Sequence, residues 1–151
     1  NQQFFSQNID INSNNTSFLL RLNNDRPLST DVFNFLDQSI LIIDKINQEF
    51  NNLFFSDNQE KIIENANLDN INPIFCMIKD PLTQLFLAAN SRVYVISESS
   101  FAWWAYFLSN KKNKIVIKPR RWVLDCPNWN PGFQLEDKIY DINVNYFNTQ
   151  I

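Results

Sequence analysis

An open, mainly parallel α/β sheet of five strands is the fold this sequence predicts, and three observations carry it. Five short strand-like runs alternate strictly with four helix-like segments. The later runs are continuously apolar, the pattern of strands covered on both faces. The chain has 151 residues, 44% hydrophobic and 19% charged, which suits one ordinary domain with a real core and excludes a disordered or tail-like chain.

The elements follow in order. Phe18 to Leu22 is a short apolar run after the polar loop Asn12 to Ser17, and reads as a strand broken by Asn23, Asn24, Asp25 and Pro27. Ser29 or Thr30 can cap a helix whose first turn holds Asp31, where negative charge suits the dipole. Leu36, Ile40, Ile43, Ile46 and Phe50 carry that helix to about Phe50. Leu53 to Ser56 is a second strand, and Gln59 to Asn65 a short helix with Ile62 and Ile63 inward. Pro73 to Ile78 forms a third strand containing Cys76, read as a buried thiol. Asp80 and Pro81 then open a helix, a carboxylate cap before proline at the first helical position. Leu82, Leu85, Phe86 and Ala89 are expected to be its core face. Val93 to Ile96 is the fourth strand. Phe101 to Ser109 is a helix apolar on nearly every side, hence expected to be buried, with Trp103 and Trp104 as packing residues. Ile115 to Ile117 is the fifth strand, stopped by Pro119, and residues 123–151 are expected to be an irregular extension packed on the single domain.

Composition removes whole classes of function. Without histidine there is no His general base, no Ser-His-Asp or Cys-His nucleophile and no HExxH zinc site. One glycine, Gly132, excludes a Walker loop and a GxGxxG fingerprint. Cys76 and Cys126 are too few for a disulfide framework and wrongly spaced for a metal site, so no metal is expected. The longest apolar run, Phe101 to Leu108, falls far short of the ~20 residues of a membrane-spanning helix, and no targeting segment is visible. The 24 asparagines are spread along the chain and read as compositional bias. Charge is uneven. Six of the 13 basic residues (Lys111, Lys112, Lys114, Lys118, Arg120 and Arg121) lie together without an acid, leaving seven bases against 16 acids elsewhere. That local patch on an acidic body argues against a nucleic-acid clamp. It reads as a solvated strand edge, or as a phosphate or peripheral membrane contact.

Ligands of open α/β sheets sit where strand ends turn into helix starts. The residues at those places are Asp57, Asp80 and the serines Ser97, Ser99 and Ser100. The serine turn can be an anion site made of hydroxyls and unpaired N–H groups, or ordinary helix capping. Asp57 and Asp80 carry the same capping alternative. Arg21, on an apolar strand, requires a counter-charge, either a phosphate or a structural carboxylate such as Asp25.

Val95-Ile96-Ser97-Glu98-Ser99-Ser100-Phe101-Ala102-Trp103-Trp104-Ala105, with Ile115-Val116-Ile117-Lys118-Pro119-Arg120-Arg121-Trp122 after it, resembles the signature of the α-1,2-fucosyltransferases, glycosyltransferase family 11. That family carries S-N-S-[ST]-F-S-W-W-[AG], then I-V-I-x-P-x-x-W. Here Glu98 stands for the Asn and Ala102 for the Ser that precedes the two tryptophans. Phe55-Ser56-Asp57 resembles the family's F-S-D-D segment, Asp80 its D-x-x-x-M helix start, and Asp141-Ile142, Phe147 and Ile151 its closing segment. The family's H-x-R-R-x-D motif falls on the first strand, which keeps Arg21 alone, with Asp25 out by one position.

The resemblance spans Phe18 to Ile151 and implies the Rossmann-like nucleotide-sugar lobe of a GT-B fold, with the acceptor lobe in a preceding segment or partner chain. It implies transfer of fucose from GDP-fucose to a galactose hydroxyl of a glycan with inversion, with GDP-fucose as donor substrate and no separate cofactor. The donor would be held by Arg21, Ser56, Asp57, Asp80, Ser97, Ser99, Ser100 and Phe101, and Asp25 is the candidate base. Bacterial relatives work at the cytoplasmic face of the membrane and animal relatives in the Golgi lumen. The alternative is a degenerate, inactive lobe kept as a binding or structural module of a larger assembly.

Overall fold

The computed structural model describes residues 5–6, 14–22, 28–46, 50–120, 132–134 and 136–148. Along the chain run β1 (Phe5–Ser6), β2 (Asn15–Leu20), β3 (Leu28–Thr30), α1 (Val32–Ile46), β4 (Asn51–Ser56), α2 (Gln59–Asn65), β5 (Pro73–Cys76), α3 (Pro81–Ala88), β6 (Val93–Ile96), α4 (Ser100–Leu108), β7 (Ile115–Pro119), β8 (Lys138–Ile142) and β9 (Tyr146–Asn148). Seven strands form one sheet in the order β1-β5-β4-β2-β6-β7-β8, and every pair in it is parallel. Setting the short edge strand β1 aside, the remaining order is that of the doubly wound, Rossmann-like sheet. From β2 the chain builds outward through β4 and β5, then returns to lay β6 on the other side of β2. The switch point therefore lies between β2 and β6.

Alternation along the central strands divides the core. Leu19, Leu53, Phe55, Tyr94 and Ile96 pack under α3 and α4 with Leu87, Ala88, Ala102, Ala105 and Tyr106. Phe18, Leu20, Phe54, Phe75, Val93 and Val95 face α1 and α2, meeting Phe35, Leu36 and Ile62. Phe18 and Phe54, partners in register, stack with centroids 4.4 Å apart.

All five expected strands and four helices are present, and the sheet holds two strands more. Residues 123–151 are not simply irregular: β8 joins the sheet beside β7, and β9 pairs antiparallel with β3. β8 carries no strand signal in the sequence because it is an edge strand, with Lys138 and Asp141 exposed and Ile142 buried, and so lacks a continuous apolar run. Part of the polar loop expected before Phe18 is likewise strand: Asn15, Thr16 and Ser17 are fully buried in β2. Ser17 Oγ donates to Ala88 O at 3.0 Å and shares a 2.6 Å contact with Ser91 Oγ, so partners distant in sequence satisfy it.

Two helices turn the other way from expectation. On α3 the buried residues are Leu87 and Ala88, whereas Leu82 and Phe86 are 77% and 58% exposed. On α4 only Ala102, Ala105 and Tyr106 are buried, and Trp104, Phe107 and Leu108 face outward. Small residues allow a helix close to the sheet, which sends the larger side chains away from it.

The run of bases is not one patch. Lys114 is fully buried, its Nζ donating to the carbonyls of Tyr106 and Ser109 at 3.0 and 3.3 Å and lying 4.3 Å from the Tyr106 ring centroid. Burial pulls its pKa below the usual lysine value. Lys118 is buried too and meets Asp141 at 2.6 Å. A lysine whose stem packs on aromatic rings can satisfy its ammonium internally, which a count of charges does not reveal.

Candidate functional site

A pocket of about 550 Å³ opens beside the switch point, in the size range of small-ligand sites. It is walled by Leu19, Leu20 and Phe55 and rimmed by Arg21, Ser56, Asp57, Pro81, Gln84, Ser99, Phe101 and Ala102. These residues come from the carboxyl ends of β2 and β4 and the first turns of α3 and α4.

The chain leaving β2 is fastened on both sides. Arg21 N–H donates to Ser97 Oγ at 2.9 Å, tying it to the end of β6, and Leu22 N–H donates to Asp57 Oδ1 at 2.8 Å, tying it to the end of β4. Ser97 is itself locked: its N–H and its Oγ–H both donate to Leu19 O, at 3.0 and 3.2 Å. Arg21 thus lies just beyond the strand and exposed, not within an apolar strand as the sequence suggested, and lines the pocket.

The two capping alternatives separate. Asp57 is not the cap of α2: Asn58 takes that position, its Oδ1 accepting from Lys61 N–H at 3.2 Å, which leaves the exposed Asp57 carboxylate on the pocket rim. Asp80 is a true cap. Its Oδ2 accepts from the Thr83 hydroxyl at 2.6 Å and the Thr83 N–H at 2.9 Å, and these bonds hold its pKa below the usual carboxylate value. It stands beside the pocket without lining it, while its neighbours Pro81 and Gln84 do.

Ser99 caps α4, its Oγ accepting from Ala102 N–H at 3.4 Å, and sits on the pocket wall with Phe101. The first N–H groups of such a helix have no carbonyl partner inside it, so a hydroxyl, amides and the positive dipole end gather around Ser99. Ser97 is a peg buried behind the wall, and Ser100 is exposed outside the lining. Asp25 lies outside the described residues.

Two participants were not anticipated. Gln84, whose side-chain amide donates to Ile78 O, reaches the pocket from α3 and carries no motif of its own. Glu98 is 4% exposed, and its Oε1 accepts from Thr30 N–H at 2.9 Å, bracing β3 against the end of β6. It is the one acid between Pro81 and Leu124, a sequence signal that could have marked it. Among the described residues no three His, Cys, Asp or Glu side chains come together to hold a metal ion, and no helix is long and apolar enough to cross a membrane.

Fold and pocket define an open, doubly wound α/β domain with a ligand crevice at its switch point. No family model, curated protein or solved structure matches the chain.

Proposed function

We propose that this chain is the nucleotide-sugar-binding lobe of a glycosyltransferase of the α-1,2-fucosyltransferase type, taking GDP-fucose as donor and a galactose hydroxyl of a glycan as acceptor. The observation that carries the reading is the gathering of Arg21, Ser56, Asp57, Ser99 and Phe101 around one pocket at the switch point. They come from three separate stretches of sequence, each singled out by its resemblance to that family.

In this reading the donor's diphosphate lies between the Arg21 guanidinium and the start of α4. Fork-shaped donors and helix N–H groups both favour phosphate oxygens, and both strengthen as charge builds on the leaving diphosphate. Asp57, held in place by Leu22 N–H, accepts from ribose or guanine donors. Asp80 acts by capping α3 and so positioning Pro81 and Gln84. The acceptor hydroxyl attacks the anomeric carbon opposite the diphosphate and gives its proton to a base, for which Asp25 is the candidate; the carbon–oxygen bond to GDP breaks, and the configuration inverts. The acceptor lobe belongs to another segment or chain in this reading.

Calorimetry with GDP, GDP-fucose, UDP and guanosine tests it. The chain is expected to bind GDP and GDP-fucose and to prefer both to UDP. Arg21→Ala is expected to weaken GDP at least ~10-fold while leaving guanosine nearly unchanged, the loss of one charge-assisted contact. No GDP binding at millimolar concentration would overturn the reading. The single arginine at the end of β2, where the resembled family has a pair, favours a second reading: a lobe that binds the donor as a module without turning it over. Binding of GDP-fucose without fucose transfer in the complete assembly would select it.

A further inference from the structure

α3 and α4 share an outward apolar face that the nucleotide reading does not use. Leu82 and Phe86 of α3 are 77% and 58% exposed, and Trp104, Phe107 and Leu108 of α4 are 46%, 45% and 53% exposed. They are contiguous. Leu82, Phe86 and Leu108 line one groove of about 300 Å³, and the Trp104 and Phe107 rings meet edge to face at 5.8 Å. A helix apolar on every side normally has protein on every side. Here the sheet takes one side of α4, and the other side still requires a nonaqueous neighbour.

Charge narrows what that neighbour is. From Pro81 to Lys112 the one acid is the buried Glu98, and the exposed Asp80 caps the far end of α3, so the cations gather at one end of the face. Lys111 and Lys112 lie in the connection after α4, and Arg92 in the connection between α3 and β6; Lys112 and Arg92 are exposed and Lys111 half-exposed. Ser109 Oγ donates to Ser91 O at 3.4 Å, which brings the two cationic ends together. The result is an apolar centre of Trp, Phe and Leu with a basic margin, on a chain whose formal charge is −3.

We propose that this face seats on an anionic lipid surface, with the five apolar side chains in the headgroup–acyl boundary and Arg92, Lys111 and Lys112 on lipid phosphates. The apolar side chains present on the order of 500 Å², below the ~800 Å² per partner of a standard protein interface. Lipid also requires no hydrogen-bond pattern from a face that offers little of one, while long lysine stems let ammonium groups reach headgroups.

Sedimentation with vesicles tests this independently of nucleotide binding. The chain is expected to sediment with equimolar phosphatidylglycerol–phosphatidylcholine vesicles, at least ~10-fold more weakly with phosphatidylcholine alone, and less when salt is raised to about 0.5 M. Leu82→Gln with Phe86→Gln, at positions too exposed to unfold the domain, is expected to reduce binding at least ~10-fold with unchanged circular dichroism. Lys111→Glu with Lys112→Glu should do the same through the charge term. Absence of sedimentation, equal sedimentation with both vesicles, or indifference to the apolar substitutions overturns the proposal. So does a dimer in light scattering that the Leu82 and Phe86 substitutions dissolve, which assigns the face to a second copy.

Discussion

Replacing Ser97 with alanine removes the peg between the ends of β2 and β6, and the structure allows its cost to be worked out. Ser97 is 1% exposed, and its Oγ accepts from Arg21 N–H and donates to Leu19 O. Leu19 O also receives the Ser97 backbone N–H at 3.0 Å, so it keeps a partner after the substitution. Arg21 is exposed, so water can reach its N–H in place of the lost hydroxyl. The full penalty of an orphaned buried group is therefore avoided, and the expected loss is one ordinary hydrogen bond plus a small void, about 1–1.5 kcal/mol. For a domain of this size that is roughly 2–6 °C in Tm. Because Arg21 loses its anchor, GDP affinity is expected to fall about 3–10-fold, while guanosine affinity does not. Urea unfolding and calorimetry read the two effects separately. A loss above about 3 kcal/mol would mean that the Arg21 amide is closed to water, and unchanged stability would mean that the peg is not made.

Three further outcomes are expected. Tyr106→Phe removes a hydroxyl that donates to Asp137 Oδ2 at 2.6 Å and accepts from Gln134 N–H at 2.8 Å, and should cost about 2–3 kcal/mol in urea unfolding; a loss near zero would deny that bond its weight. Trp103, which packs on the core and donates its indole N–H to Gly132 O at 3.0 Å, should cost about 3 kcal/mol as alanine, whereas the outward Trp104 should cost about 1 kcal/mol or less; equal melting of the two variants would contradict the orientation of α4. Stability should fall as pH rises above about 10. Burial pushes Tyr94 up to about 12, and burial with the bond to Asp137 pushes Tyr106 up as well, so the folded state holds these protons through a range where the unfolded chain loses them. Lys114, shifted down by burial, adds the opposite slope below its unfolded value; an alkaline loss unaltered in Tyr94→Phe would refute the assignment.

Local signals were legible where neighbours in sequence decide the outcome. The Asp80–Pro81 helix start, the span of α2 and the apolar run of β6 need only propensity and capping. Where distant partners decide, the sequence was silent or misleading. Asn15 to Ser17 look like a loop until β4 and β6 pair on either side of them and Ala88 and Ser91 satisfy the Ser17 hydroxyl. The stripe of Leu82, Leu85, Phe86 and Ala89 looks like a core face until Leu87 and Ala88 take the sheet. Lys114 counts as surface charge until the carbonyls ending α4 enclose it. The site divided the same way: Arg21, Asp57 and Ser99 follow from strand ends, but their convergence depends on β2 lying between β4 and β6. Gln84 had no local mark at all.

The small sheet of β3 and β9 bears on how the chain comes to fold. Asn145 N–H reaches Asn34 Oδ1 across 111 residues, and Leu28 to Thr30 pair with Tyr146 to Asn148, so this clasp joins the segment that follows β2 to the segment that follows β8. Every pairing in the main sheet is parallel, so none can start from a hairpin, and the middle strand keeps one side bare until β6 has been made. Loop closure over such spans slows the search for native pairings. A nascent chain on the ribosome would hold its apolar centre half-covered until β6 emerges. Chaperone dependence during synthesis, and poor yield from truncation at the clasp, would follow from topology alone.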